Sequence, residues 1–311
     1  MIKRLVYSKH SPKERCGVAY FADLLSKYLS AKHVNGFHGF GKCEELFINM
    51  DIFELDESEV SSLLKFINSR FVGKKILLMH DYRFTYLEEE MVKNCDLVIN
   101  LSGEQALKDI ANGKMIELFT PSSIEKPQFY LKKGKNRPLS LTFGFFTPRK
   151  KSFKLYIEFY ENMLKKYPEW YHIIVASTHV GDSIEEKEFI TRLLNSRSIL
   201  VSDFIPNTLL AELISAANLG VFFYPTGIMQ NNMGPMAFFS QGKTVITTYG
   251  DLTPSSFKLF TINFDDLRKF DLYDLKIIDR LGRNAKSFYQ SNLSWEVFIK
   301  KMYSHINKFI K

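Results

Sequence analysis

The stretch GVFFYPTGIMQNNMGPMAFFSQGKTVITTYG, residues 220–250, decides the fold class. Its first run, GVFFYP (220–225), is apolar and strand-length, and its last, KTVITTY (243–249), is rich in the β-branched residues that favour strands. Between them PMAFFSQ (235–241) predicts a short helix. Pro235 suits the first helical position, and Gly242 is placed to end the helix about two turns later. The polar insertion QNNMGP (230–235) then becomes the loop that leaves a buried strand and enters a helix.

The same alternation runs outward in both directions. Upstream, LSLTFGFF (139–146), YHIIVAS (171–177) and SILVSDF (198–204) read as strands; FKLYIEFYENMLKKY (153–167), IEEKEFITRLLNS (184–196) and NTLLAELISAA (207–217) read as helices. The first half repeats the theme. RLVYS (4–8) precedes GVAYFADLLSKYL (17–29), in which Val18, Phe21, Leu24, Leu25, Tyr28 and Leu29 share one helical face. ELFIN (45–49), KKILLMHD (74–81), DLVINLS (96–102) and MIELFTP (115–121) come next as strands, with helices in EVSSLLKFINSRF (59–71) and EQALKDIA (104–111). Strands and helices alternating in this way predict parallel sheets covered on both faces. There are more elements than one sheet holds comfortably, and PQFYLKKGKNRPL (127–139), charged and flanked by prolines, reads as the linker. The expected architecture is α/β: two doubly wound, Rossmann-like domains facing a central cleft, over 1–130 and 131–290, with ligands at the carboxyl ends of the strands.

Composition agrees. A chain of 311 residues with 45% hydrophobic and 14% aromatic residues can bury two cores and is not disordered. Cys16, Cys43 and Cys95 are odd in number and lack the paired spacing of a zinc site or redox pair, which fits a reducing compartment. No run reaches the roughly 18 to 20 apolar residues of a membrane span, and MIKRLVYSKHSPKE lacks the apolar stretch of a secretion signal, so the expected location is cytoplasmic or peripheral to a membrane. The net charge of +8 points to acidic partners, with local concentrations at KKGKNR (132–137) and PRKK (148–151). Basic residues interleaved with aromatics are absent, so nucleic acid is not the expected partner.

Four places carry candidate chemistry. Gly17 comes after the first strand's loop at a helix start, where free amides suit phosphate or sugar hydroxyls, although a glycine there also serves plain turn chemistry. Arg149, Lys150 and Lys151 leave a strand's carboxyl end just before a helix, where cations neutralise a diphosphate; a solvated basic loop reads the same residues. Asn231, Asn232, Gly234 and Pro235 combine amide side chains with a helix start, an anion site without fixed charge, against the alternative of an ordinary tight turn. His80 and Asp81 end an apolar strand where they could orient or polarise a sugar hydroxyl, or serve as a core histidine beside a capping aspartate. No D-x-D spacing stands at a strand's carboxyl end, and Asp265-Asp266 reads as a turn, so no metal is expected.

Taken in order, these pieces resemble the GT-B glycosyltransferases of the large nucleotide-sugar-dependent group that includes sucrose and mannosyl transferases. CGVAYFADLLSKYL resembles their opening loop and helix, FGFFTPRKKSFKLYIEFYENMLKKYP their strand, basic loop and helix, and ILVSDFIPNTLLAELISAANLGVFFYP the segment that holds a nucleotide base. GPMAFFSQGKTVITTYG is similar to their glycine-bearing helix and strand, and LSWEVFIKKMYSHI to their Trp-bearing closing helix. The chain departs from the pattern where the group carries two glutamates eight positions apart, for Met229 and Ala237 stand there; Thr244 replaces a proline and Ser152 a glycine.

The resemblance implies a metal-independent glycosyltransferase moving a sugar from a nucleoside diphosphate sugar, a substrate and not a cofactor, to a carbohydrate or lipid-linked glycan. It places the donor on Gly17, Arg149, Lys150, Lys151, Asn231, Asn232, Gly234 and Pro235, the base near Phe204 and Ile205, and catalysis on His80 and Asp81. It also implies that the closing helix, 291–311, packs back toward the first domain. WEVFIKKMYSHINKFIK is basic and amphipathic, so peripheral membrane contact is the other use for it. The missing glutamates support an alternative, a non-catalytic GT-B-like binding or scaffold subunit of a glycosyltransferase complex.

Overall fold

A computed structural model describes residues 2–11, 17–36, 43–50, 56–69, 71–124, 126–127, 138–144, 151–176, 184, 187–188, 191–192, 198–202 and 205–309. The chain divides into two units, Met1–Ser123 with Trp295–Lys311, and Ile124–Ser294.

The first unit holds six parallel strands: β1 (Ile2–Tyr7), β2 (Lys32–Val34), β3 (Cys43–Met50), β4 (Lys74–Met79), β5 (Leu97–Asn100) and β6 (Met115–Glu117), in the order β2-β1-β3-β4-β5-β6. The direction of winding reverses between β1 and β3, because β2 lies on one side of β1 and every later strand on the other. Ile76 to Met79 and Leu97 to Ile99 have no exposed surface, as strands covered on both faces require. Helix α1 (Gly17–Leu29) buries Val18, Phe21, Leu25 and Leu29. Helices α2 (Glu57–Ser69), α3 (Tyr86–Asn94) and α4 (Leu107–Ala111) complete the layers. Helix α3 has a capping box, in which Thr85 Oγ1 accepts from the Glu88 amide while the Glu88 carboxylate accepts from the Thr85 amide.

The second unit holds β7 (Leu139–Gly144), α5 (Phe153–Lys166), β8 (Tyr171–Ala176), β9 (Ser198–Ser202), α6 (Asn207–Ala216), β10 (Leu219–Phe222), α7 (Met233–Ser240), β11 (Thr244–Thr247), β12 (Thr261–Asn263) and α8 (Leu275–Asn292). Its parallel order, β12-β11-β10-β7-β8-β9, places the reversal between β7 and β10, where a doubly wound sheet opens a crevice at the carboxyl ends of the strands. Backbone proximity explains the glycines here. A Cβ on Gly220 would meet the Phe238 ring at 2.9 Å, and one on Gly282 would meet the Gly242 carbonyl oxygen at 2.2 Å, so α7 and α8 approach their neighbours only without side chains at these positions. Gly242, at φ +74°, ends α7 with Gly242 N donating to Phe239 O and Lys243 N to Phe238 O, a Schellman closure.

The remaining helix, α9 (Trp295–Phe309), belongs to the first unit. Trp295 Nε1 donates to Ser122 O at 3.0 Å, and its ring stacks on Tyr28 at 5.1 Å and lies 5.0 Å from Phe21. Farther along, Tyr303 donates to Glu45 Oε2 at 3.0 Å, a carboxylate that also holds Arg4 at 2.8 Å. Phe298, Met302 and Ile306 are buried, so the apolar face of this helix is occupied by packing. Among the described residues no helix is long and apolar enough to cross a membrane.

Candidate functional site

The crevice side of the second unit is built at the ends of β7 and β10. Phe143, next to last in β7, and Phe222, last in β10, are set edge to face at 5.5 Å, and Phe238 of α7 meets Phe222 at 5.5 Å. Against this aromatic floor lies Lys151, buried to 5% exposure, with its ammonium 4.7 Å from the Phe222 centroid and 4.3 Å from that of Tyr224. The ring faces hold the cation in place of water. Ser152, which precedes α5, donates its amide to Phe223 O at 3.0 Å, and the Tyr156 hydroxyl accepts from the Phe223 amide at 3.1 Å. Position 151 is thereby fixed to the end of β10. A cavity of about 690 Å³ opens beside it and runs along α5, lined by Lys151, Lys154 and Arg192 together with Glu158, Glu161 and Glu188, and closed by Pro225.

The loop of residues 223–232 is stitched to the end of β11. Thr248 Oγ1 accepts from the Tyr224 amide and donates to the Tyr224 carbonyl, and the Ile228 amide donates to Thr248 O at 2.9 Å. Gly227, at φ +81°, lies so close to Gly250 that a Cβ would meet the Gly250 nitrogen at 2.2 Å. Asn232 Oδ1 accepts from the Met229 amide at 2.6 Å and its Nδ2 faces Asn231 Oδ1 at 3.4 Å, so Asn232 braces the loop from inside. Helix α7 starts at Met233, two residues before the expected first position at Pro235, which takes the third position instead. The amides of the first turn have no intrahelical acceptor, which is why proline fits there too. Gly234 is required by contact: a Cβ there would meet Phe222 Cε1 at 2.7 Å, on the ring that carries Lys151. Asn232, the residue before α7, makes no capping hydrogen bond, so the amides of Met233 and Gly234 have no side-chain acceptor from it.

In the first unit the structure links Val18, the second residue of α1, to His80 through Asn49. Asn49 Nδ2 donates to Val18 O at 2.9 Å, which fixes its Oδ1 as the acceptor for His80 Nε2 at 2.8 Å. His80 is 5% exposed and meets the Phe21 ring edge-on at 4.9 Å. The neighbouring Asp81 turns outward, with its side chain 45% exposed, and accepts from the Tyr82 amide at 3.0 Å. Across the next loop Glu104 has its carboxyl pKa raised, first by burial and second by the charge of Asp81. Burial also pushes the Cys43 thiol up to about 11 and that of Cys95 to about 12, so neither is a nucleophile at neutral pH.

Of the residues expected at the donor site, Lys151, Asn231, Asn232, Gly234 and Pro235 gather around the ends of β7 and β10. Ile205 lies past the end of β9, two strands from β7, and is half-exposed. Arg149, Lys150 and Phe204 lie outside the described residues. Sequence reading missed Phe222 and Tyr224 as the lysine's supports, Asn49 as the link to His80, and Glu104 as the neighbour of Asp81.

No protein-family description and no curated protein matches the sequence. Solved structures do match over the whole chain. An α-glucosyltransferase in complex with UDP and a 13-mer DNA containing a HMU base superposes with a TM-score of 0.67 at 13% identity, covering 98% of this chain and 99% of that one. The chain has the GT-B fold. Sucrose-phosphate synthase from Thermosynechococcus elongatus shares this GT-B architecture at TM-score 0.67 and 15% identity, with 99% of both chains covered. HepE from Anabaena, in complex with UDP and glucose, does so at 0.63 and 11%, covering 99% of this chain and 100% of that one.

Proposed function

We propose that this GT-B protein transfers a sugar from a nucleoside diphosphate sugar to a carbohydrate or lipid-linked glycan, without a metal ion. The carrying observation is Lys151, a buried ammonium held by two rings at the end of β10, next to the reversal of the second sheet, and beside a cavity that runs along α5. A cation held there is preorganised to meet the charge that grows on a departing diphosphate. The uncapped start of α7 adds two amides and the positive end of a helix. Arg149 and Lys150 extend the same basic stretch in the sequence, Asn231 and Asn232 precede the α7 start, and Phe204 and Ile205 are assigned to the base. Structures of this fold crystallised with UDP support that assignment.

In the first unit Gly17 faces phosphate, Asp81 is the exposed group assigned to the reacting sugar, and His80 positions the α1 start through Asn49. The test is a thermal-shift series on the whole chain with UDP, ADP and GDP, and then hydrolysis of the matching nucleotide sugar. Absence of any nucleotide-dependent shift removes the donor assignment.

A second reading rests on a specific observation. Ala237 is fully buried and Met229 accepts a contact from Thr226 Oγ1 at 3.7 Å, so no carboxylate stands at either position. A binding or scaffold subunit would show a nucleotide shift or a stable partner without turnover.

A further inference from the structure

The loop after β4 presents an aromatic surface that the donor site does not use. Phe84 is 61% exposed and Tyr86 71% exposed, although both are large apolar rings. Phe84 also holds φ +62°, the left-handed region that a bulky residue avoids. Its neighbours impose that conformation. The buried Glu88 carboxylate accepts from Arg83 N at 3.0 Å and Thr85 N at 2.9 Å, on either side of Phe84. Beneath, the ring rests on Tyr82, itself 4% exposed, at 4.6 Å. An exposed ring locked by a buried carboxylate is poised to meet a ligand with little loss of freedom.

Its surroundings select the ligand. Asp81, ion-paired with Arg83 Nε at 3.7 Å, belongs to the same loop, and Glu104 comes after β5, the strand paired with β4. We propose that Phe84 and Tyr86, with Asp81 and Glu104, form a subsite for one ring of a neutral carbohydrate, its CH face on the aromatic rings and its hydroxyls donating to the carboxylates. Carboxylates accept from several hydroxyls at once, while an aromatic face suits the apolar side of a sugar ring. The binding stands on residues of the first unit alone; that the bound sugar is the acceptor rests on the transfer reading above.

Saturation-transfer NMR on the full chain, with maltose, cellobiose, lactose and chitobiose as millimolar probes, tests it. At least one disaccharide should receive saturation on its ring protons. Phe84→Asn, whose side chain tolerates the left-handed backbone, should bind that sugar about tenfold more weakly while keeping or raising Tm. Failure of every probe with the wild type, or equal binding by Phe84→Asn, overturns the proposal. Should Phe84→Asn lower Tm, Tyr86→Ala decides: weaker binding supports the subsite and unchanged binding overturns it. Loss of phosphatidylglycerol-vesicle binding in Phe84→Asn with sugar binding intact would make the rings a membrane contact and also overturn it. A UDP thermal shift on the same samples reports the second unit separately, so failure of the sugar subsite and failure of the donor reading are distinguishable.

Discussion

Replacing Lys151 by methionine separates a structural lysine from a ligand-binding one. Methionine keeps an unbranched chain against Phe222 and Tyr224 and removes only the charge. In the free protein the charge has opposing effects. Two ring contacts, at 4.7 and 4.3 Å, each contribute ~0.5–2 kcal/mol, and removing an ammonium from water costs several kcal/mol. These offset, so the net change in stability should stay within ~1 kcal/mol, a Tm shift of about 2–4 °C for a unit of this size. A bound diphosphate changes the balance, since a charged hydrogen bond contributes ~1.5–3 kcal/mol and its loss weakens affinity about 10- to 150-fold. Isothermal titration with the nucleotide that gives the largest thermal shift should therefore show a large rise in Kd with little change in Tm. Unchanged Kd with a large fall in Tm would make Lys151 a packing residue and refute the argument.

Particular contacts elsewhere have measurable consequences. His172 is buried with Nδ1 2.5 Å from Ser140 Oγ, and burial holds its pKa down to about 4. The ring is thus neutral in the fold, so its contribution is intact above about pH 6.5 and is lost as pH falls toward 4, by ~3 kcal/mol in all; urea midpoints across that window should fall more steeply for wild type than for His172→Gln. Gly227→Ala places a methyl 2.2 Å from the Gly250 nitrogen at a positive φ, so the loop of 224–232 must shift, and a nucleotide titration should show at least about tenfold weaker binding. Trp295→Ala removes a buried indole stacked on Tyr28 and bonded to Ser122 O; a loss of ~3–5 kcal/mol is expected in denaturant unfolding.

Local pattern made much of this fold legible. Strands such as KKILLM and LVIN are short apolar runs between amphipathic stretches, and periodicity identifies such elements without knowledge of their partners. The elements outside that reading have physical reasons for their silence. β2 and β12 are three residues each, too short for any period. The start of α3 is marked by Thr85 and Glu88, a capping-box spacing, but its burial pattern is weak because the exposed side carries Glu89, Glu90 and Lys93. Helix α8 also lies outside that reading, although it has a strong apolar face and an Asp274 cap that accepts from Lys276 N and Ile277 N.

Local pattern suffices for the α/β class, the basic loop, the glycine that closes α7 and the polar insertion between β10 and α7, because each depends on neighbours a few residues away. Only the tertiary structure decided what those residues do. Lys151 is seated on rings 71 and 73 positions later, and Glu104 comes under the charge of Asp81, because strand order brings distant loops to one edge of a sheet. Strand order is set by which apolar faces cover which, a property of the whole core that no local stretch contains.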